Sequence, residues 1–219
     1  MMEKVLITPK AERLEKIEAF CRRCGSCRLH KTRTKVVFGE GSPDAPVVFI
    51  GEGPGREEDM SGRPFVGRSG KLLRRMIQAI ELDLEKDCFI ANIVKCRPPG
   101  NRDPEQDEID LCIKYLKKQL EIIFPNLIVL LGRTAVRGIL PQLGDNPMFK
   151  LREMKDLTYE GIRTMVTYHP SALLRGPKWH QNAKEDFEKI RKEAKEAILM
   201  KRMLQEESRN LGLVEELPF

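Results

Sequence analysis

The chain has 219 residues, 41% hydrophobic and 33% charged, a composition that fits a folded globular protein and excludes a fibrous or disordered one. With 39 Lys and Arg against 33 Asp and Glu, its net charge is +6. The longest apolar runs, residues 47–50 and 127–131, are too short to cross a membrane. The first ten residues contain no apolar core of a signal peptide, so we expect a cytoplasmic protein.

The segment before the first predicted strand concentrates positive charge. Helical spacing predicts a first helix over residues 11–22, and no acidic residue occurs from position 19 to position 39. Six basic side chains lie in that stretch: Arg22, Arg23, Arg28, Lys31, Arg33 and Lys35. A local excess of this kind indicates a polyanionic partner more strongly than the overall charge does.

Four apolar runs predict β-strands at residues 47–50, 88–94, 127–131 and 164–168. Helical spacing predicts helices over 69–80, 109–123 and 134–140, and a long final helix over 184–205. Asp103 and Pro104 are the expected N-cap and first-turn proline of the helix before residue 123. Strands alternating with helices predict an α/β fold with a buried parallel sheet. We expect residues 1–209 to form one domain and residues 210–219 a flexible tail.

Residues with chemical potential follow the predicted strands. Gly51, Glu52 and Gly53 follow the first strand, Asn92 lies near the end of the second, and His169 follows the fourth. The carboxyl ends of parallel strands share one edge, where ligands bind, so we expect these residues to line one crevice. These residues also have explanations without a function: the glycines could form only a tight turn, and His169 could be a structural histidine. The glycine spacing matches neither a dinucleotide site nor a P-loop.

The cysteines are grouped in a way that indicates a metal centre. Cys21, Cys24 and Cys27 form a CxxCxxC run, and Cys96 and Cys112 follow far downstream. The ferredoxin run needs a fourth cysteine at position 31, and a zinc ribbon needs a second CxxC pair, and neither is present. Ligands from two distant regions fit an iron–sulfur cluster. Spacing leaves open whether Cys21 and Cys24 or Cys24 and Cys27 form the first pair.

Because of five motifs taken together, the sequence resembles the family 4 uracil-DNA glycosylases, the thermostable iron–sulfur group of the uracil-DNA glycosylase superfamily. They are CGSCRLHKTRT at 24–34, GEGPGREED at 51–59, GRPFVGRSGKLL at 62–73, NIVKCRPPGNRDP at 92–104 and HPSALLR at 169–175. The resemblance implies a three-layer α/β/α sandwich around a four-stranded parallel sheet. It also implies a monofunctional enzyme of base excision repair that removes uracil from DNA and leaves an abasic site. We expect a nucleoid-associated monomer, and no sliding-clamp motif is recognised.

The resemblance also assigns roles to individual residues. It implies that uracil stacks on Phe65, that Asn92 bonds the O4 and N3–H edge of the base, and that His169 donates to O2. It implies a four-iron, four-sulfur cluster on four cysteines and leaves Cys21 and Cys88 as spares, Cys88 being expected in the core. The implied cluster ligands are Cys24, Cys27, Cys96 and Cys112.

The chain departs from the better-known family 1 pattern, in which an Asp positions water and a Tyr excludes thymine. Gly53 and Gly55 stand at those two positions. We therefore assign water activation to Glu58, with Asn101 as a second positioner, and thymine exclusion to Glu52.

We expect DNA contacts from basic residues and from a leucine wedge that fills the gap left by the flipped base. Leu173 or Leu174 is the expected wedge. The expected basic contacts are Arg28, Lys31, Arg97 and Arg175.

Two other functions compete with this interpretation. A metal-dependent nuclease would use Glu57, Glu58, Asp59 and His169 as ligands. A non-catalytic iron–sulfur DNA-binding protein would bind DNA tightly without releasing a base.

Overall fold

The computed structural model describes the backbone of residues 9–210 and the side chains of residues 9–207. The strands are β1 (Glu40–Gly41), β2 (Val47–Gly51), β3 (Cys88–Asn92), β4 (Leu127–Leu131), β5 (Thr158–Tyr159) and β6 (Ile162–Thr167). The helices are α1 (Lys10–Arg22), α2 (Arg56–Ser61), α3 (Arg68–Ala79), α4 (Gln106–Ile123), α5 (Arg133–Ile139), α6 (Met148–Leu151), α7 (Pro170–Leu174) and α8 (His180–Asn210).

The strands form one sheet in the order β1-β3-β2-β4-β6-β5. The four inner strands are parallel, as predicted, and their register brings Val48 beside Phe89 on one side and Ile128 on the other. The sheet has two more strands than expected, because β1 and β5 are antiparallel edge strands of two residues each. A two-residue strand is too short to produce a periodic pattern in the sequence.

Helices cover both faces of the sheet and give the predicted three layers. Alternate residues of a strand point to opposite faces. Val48 and Ile50 of β2 therefore belong to a core shared with α1, α4 and α5, whereas Val47 and Phe49 belong to a core shared with α3 and α8. Cys88 lies in the second core, as expected for a small buried residue.

Some boundaries differ from the sequence prediction. The N-cap of α4 is Glu105, which forms a capping box with Glu108, so the assignment of Asp103 and Pro104 to this position is wrong. The final helix begins at His180, earlier than predicted, and reaches Asn210. The predicted tail beyond that residue lies outside the described residues, and the single-domain assignment stays a prediction. Within residues 9–210, no helix combines the length and apolarity of a membrane span.

Candidate functional site

A cleft of about 630 Å³ opens where the carboxyl ends of the parallel strands meet. It brings together the three residues expected there, Glu52 after β2, Asn92 at the end of β3 and His169 after β6. Other expected site residues that line it are Gly53, Phe65, Glu58, Asn101 and Arg175.

Phe65 and Asn92 form the inner wall of the cleft, above Gly51. Both side chains are almost completely buried. A Cβ atom on residue 51 would collide with the Phe65 ring and with Asn92 Oδ1, so glycine is required for this packing. Among the described residues, no group hydrogen-bonds to Asn92 Oδ1. Buried polar atoms are usually paired, so this oxygen is an acceptor available to a ligand.

The side chains of Glu58 and Arg74 hold Phe65 in a left-handed backbone conformation, with φ of 52°. Glu58 Oε1 accepts the N–H groups of Val66 and Gly67 at 2.9 and 2.8 Å, and its Oε2 accepts Gly55 N–H at 3.1 Å. Arg74 donates to the Phe65 carbonyl oxygen at 3.0 Å. The ring is therefore fixed before any ligand binds, because a left-handed phenylalanine persists only where its surroundings enforce it.

His169 faces the Phe65 ring, with 5.7 Å between ring centroids. Its Nδ1 accepts the backbone N–H of Ser171 at 3.2 Å and lies 2.8 Å from the Ser171 hydroxyl. Burial and, to a smaller extent, the positive charge of Arg175 lower the pKa of His169 to about 4, although the negative charge of Glu58 opposes the shift. The imidazole is therefore neutral at pH 7, with its proton on Nε2, a single hydrogen-bond donor.

Glu52 is held by a residue that the sequence analysis missed. Thr134, in the first turn of α5, donates its hydroxyl to Glu52 Oε2. Burial raises the pKa of Glu52, the Thr134 hydrogen bond opposes that rise, and the negative charge of Asp103 adds to it. Because Thr134 follows β4 at the same sheet edge as His169, the strand-end rule could have identified it.

The basic residues expected to contact DNA have different surroundings. Arg175 is exposed at the rim of the cleft and Lys31 is exposed on the surface. Arg97 Nε donates to Asn101 Oδ1 at 2.7 Å. Arg28 is engaged within the protein, where it donates to Glu105 and Asp107.

The two candidate wedge residues differ in exposure. Leu174, at the end of α7, is 43% exposed, whereas Leu173 is 4% exposed and packs with Tyr168 and Ala183. His180 contacts the Leu173 carbonyl oxygen at 2.8 Å, which fixes the turn that presents Leu174. Of these two leucines, Leu174 is the one whose side chain can contact a ligand without unpacking the protein.

A second cavity collects five of the six cysteines, apart from Cys88. Two N–H groups point at their sulfur atoms: Lys95 donates its backbone N–H to Cys112 Sγ and Arg33 donates to Cys96 Sγ, both at 3.3 Å. Arg33 also donates to the Cys24 carbonyl oxygen at 2.7 Å, which links the N-terminal segment to the loop after β3. The cysteines that line the cavity are Cys21, Cys24, Cys27, Cys96 and Cys112.

Comparison with known proteins identifies the family. Residues 38–195 match the model of the uracil DNA glycosylase superfamily. A type-4 uracil-DNA glycosylase of Sulfurisphaera tokodaii is 46% identical over 185 residues, which are 81% of this chain and 83% of that protein. The chain belongs to the type-4 uracil-DNA glycosylases. A type-4 enzyme of Archaeoglobus fulgidus is 43% identical over 82% of this chain and 92% of its own length.

The cysteine cavity fits the iron–sulfur cluster that the family resemblance implies. Thiolates are the ligands of such clusters, and N–H groups directed at sulfur are their usual second layer. Within the described residues, no three His, Cys, Asp or Glu side chains form a site for a single metal ion. The five cysteines that line the cavity nevertheless supply the thiolates that such a cluster would need.

The geometry of the acidic residues does not support a nuclease metal site in this family member. Glu58 accepts three backbone N–H groups. Asp59 is not among the residues that line the cleft, and it accepts the N–H groups of Thr34 and Lys35, at 2.8 and 3.3 Å. The family assignment favours the glycosylase over both alternatives.

Proposed function

We propose that the protein is a monofunctional uracil-DNA glycosylase, which hydrolyses the bond between uracil and deoxyribose in DNA and leaves an abasic site for base excision repair. The observation that carries the proposal is the meeting of Phe65, Asn92 and a neutral His169 in one cleft. The target base lies inside a stack, so the enzyme extrudes it before the reaction.

Uracil binds with its face on Phe65 and its polar edge on Asn92. Stacking a base on an aromatic ring is worth about 1–3 kcal/mol. The unpaired Asn92 Oδ1 accepts the N3–H of uracil, and the amide nitrogen donates to O4. Cytosine has the opposite pattern of donors and acceptors at these two positions, so the same amide rejects it.

His169 stabilises the leaving base. Its Nε2–H donates to uracil O2, where negative charge grows as the bond to the sugar breaks. A fixed donor in a site that excludes water stabilises such charge strongly, because it needs no reorganisation during the reaction. The Ser171 N–H on Nδ1 keeps the proton on the nitrogen that acts.

Glu58 and Asn101 handle the attacking water. Glu58 Oε2 carries one backbone hydrogen bond, from Gly55, and its remaining lone pair accepts a proton of water. Asn101 Oδ1 is bound to Arg97, so its Nδ2 is the atom that donates to the water oxygen. The negative charge of Glu58 also favours the positive charge that develops on the sugar.

Glu52 excludes thymine from the pocket, which it lines together with Gly53, while Gly51 makes room for Phe65 and Asn92. Its carboxyl group is largely buried and is fixed by Thr134. A fixed group against the C5 position leaves no room for a methyl group.

DNA is held by basic side chains around the cleft, and Leu174 fills the place of the extruded base. Arg175, Arg97 and Lys31 bind phosphates, and Arg28 contributes positive charge while bracing the segment after Cys27 against α4. Phosphate contacts of this kind offset the free energy of base extrusion.

Cys24, Cys27, Cys96 and Cys112 would hold a four-iron, four-sulfur cluster. The cluster supplies no step of the hydrolysis and acts as a staple between the N-terminal segment and the loop after β3. We expect Cys96→Ser to lose the brown absorbance and to melt at lower temperature than the wild type. A colourless variant with unchanged stability and activity would contradict this role.

The proposed function is tested with an end-labelled oligonucleotide that contains one uracil, incubated with the protein in EDTA and then heated in alkali. We expect cleavage only at uracil and only after alkali. Cleavage before alkali would indicate a nuclease or a lyase. Tight DNA binding by folded, brown protein without base release would instead support the non-catalytic alternative.

A further inference from the structure

Lys95 is a completely buried lysine without a carboxylate partner. Its side chain is 1% exposed, and Nζ donates to the amide oxygen of Gln119 at 2.6 Å. Among residues 9–207, whose side chains the structure describes, no Asp or Glu pairs with it. Burial of an ammonium group beside a neutral partner alone is strongly unfavourable, and a nearby negative charge offsets that cost.

The groups near Lys95 that can carry negative charge are cysteines. Lys95 lines the cysteine cavity together with Cys21 and Cys112, and negative charge on these two sulfur atoms favours its ammonium form. Its own backbone N–H donates to Cys112 Sγ at 3.3 Å. Lys95 is therefore linked to the cavity by a main-chain hydrogen bond and also by the positive charge of its side chain.

Gln119 fixes the position of the ammonium group. It is fully buried in α4, and its Nε2 donates to the Phe38 carbonyl oxygen at 3.0 Å while its Oε1 accepts from Lys95. The Phe38 ring lies 5.8 Å from Lys95 Nζ. Because both polar atoms of the amide are used, Gln119 cannot rotate without losing a hydrogen bond in a site closed to water.

We propose that Lys95, held by Gln119, is the buried counter-charge of the iron–sulfur cluster. The inference rests on the cluster proposed above. Four thiolates leave such a cluster with net negative charge, and nearby charge and hydrogen bonds set its reduction potential and stability. Arg33 lies on the more exposed side of the same cavity and bonds Cys96 Sγ, so two cations flank the cluster.

Two neutral variants, Lys95→Met and Lys95→Gln, test the proposal in the purified holoprotein. We expect them to lose the visible absorbance of the cluster in a chelator about tenfold faster than the wild type, since a charged hydrogen-bonded group is removed. We also expect the equilibrium constant for one-electron reduction to fall about tenfold, a shift of about 59 mV. Lys95→Arg keeps the charge and should restore most of both values.

Lys117→Met is the matched control, because Lys117 is an exposed lysine on α4, the helix that carries Cys112. Solvent screens its charge, so its removal should change neither quantity more than twofold. Gln119→Glu keeps the lysine in place but sets a carboxylate against it, and should act in the same direction as Lys95→Met. This variant decides the question if the two neutral variants do not fold, as judged by circular dichroism.

Wild-type cluster lifetime and reduction potential in Lys95→Met, in Lys95→Gln or in a folded Gln119→Glu would overturn the inference. If analysis of the purified wild-type protein finds neither iron nor sulfide, both the inference and the proposed cluster are overturned. Neither result would touch the glycosylase proposal, which the uracil assay in EDTA decides separately.

Discussion

Replacement of Glu58 by glutamine is the most informative change, because this carboxylate both holds the Phe65 loop and faces the cleft. Its two oxygens accept the N–H groups of Gly55, Val66 and Gly67. Glutamine has one acceptor oxygen. In one orientation that oxygen accepts the N–H groups of Val66 and Gly67, but the amide NH₂ then faces the Gly55 N–H, which is left unpaired. In the opposite orientation the N–H groups of Val66 and Gly67 are left unpaired.

The expected loss of stability follows from this count of hydrogen bonds. An unsatisfied buried donor costs about 1–3 kcal/mol, and bonds to a neutral acceptor are weaker than bonds to a charged one. We therefore expect the free energy of unfolding to fall by about 2–4 kcal/mol. Loss of the proposed base should also lower the single-turnover rate by roughly 10²- to 10⁴-fold.

The measurement combines thermal denaturation followed by circular dichroism with single-turnover release of uracil in EDTA. Glu57→Gln is the control, since Glu57 is the exposed neighbour in the same first turn of α2. A Glu58→Gln protein as stable as the wild type would refute the role of Glu58 in the loop. A destabilised variant with an unchanged single-turnover rate would refute water activation and leave the positioning role alone.

Three further predictions concern the base, the leaving group and the wedge. Because burial lowers the pKa of His169 to about 4, below its value of about 6.5 when unfolded, the unfolded state binds the proton more readily between these values. Between pH 6.5 and pH 4 the wild type should therefore lose about 3 kcal/mol more of its free energy of unfolding than His169→Asn loses. The activity of the wild type should decline only near pH 4. An activity profile with its midpoint at pH 6.5 would contradict this prediction. Asn92→Asp should lose at least about a hundredfold in uracil release and gain release of cytosine, measured with matched oligonucleotides, and unchanged base preference would contradict the proposed contact. Leu174→Ala should reduce activity on double-stranded DNA but not on single-stranded DNA, whereas Leu173→Ala should cost about 2–4 kcal/mol of stability; equal effects of Leu174→Ala on both substrates would argue against a wedge.

Local patterns were sufficient to predict the frame of the molecule and the place of its site. An apolar run of five residues indicates a buried strand without knowledge of its neighbours, and the four parallel strands lie where those runs are. The rule that parallel strands end at one edge then predicts that Glu52, Asn92 and His169 meet. The five sequence motifs, which occur in the order that is typical of the family, were sufficient to predict the function.

Other features follow only from contacts between distant parts of the chain. The partners of Arg28 lie 77 and 79 residues away along the chain, so the sequence could not show that this exposed arginine also links the segment after Cys27 to the start of α4. Helical spacing does not distinguish Leu173 from Leu174, although packing buries the first and exposes the second. The two-residue edge strands exist because neighbouring strands offer hydrogen-bond partners, not because their own residues favour a strand.

The residue types at the ends of the strands, and the family that they indicate, can be read from the sequence without any structure. The tertiary structure alone decided their state: that His169 is neutral with its proton on Nε2, that Glu58 holds the Phe65 loop, and that Lys95 is buried beside the cysteines. Protonation, hydrogen-bond partners and burial depend on the solvent and charges around a group. Those surroundings come from residues far away in the chain, and only folding brings them together.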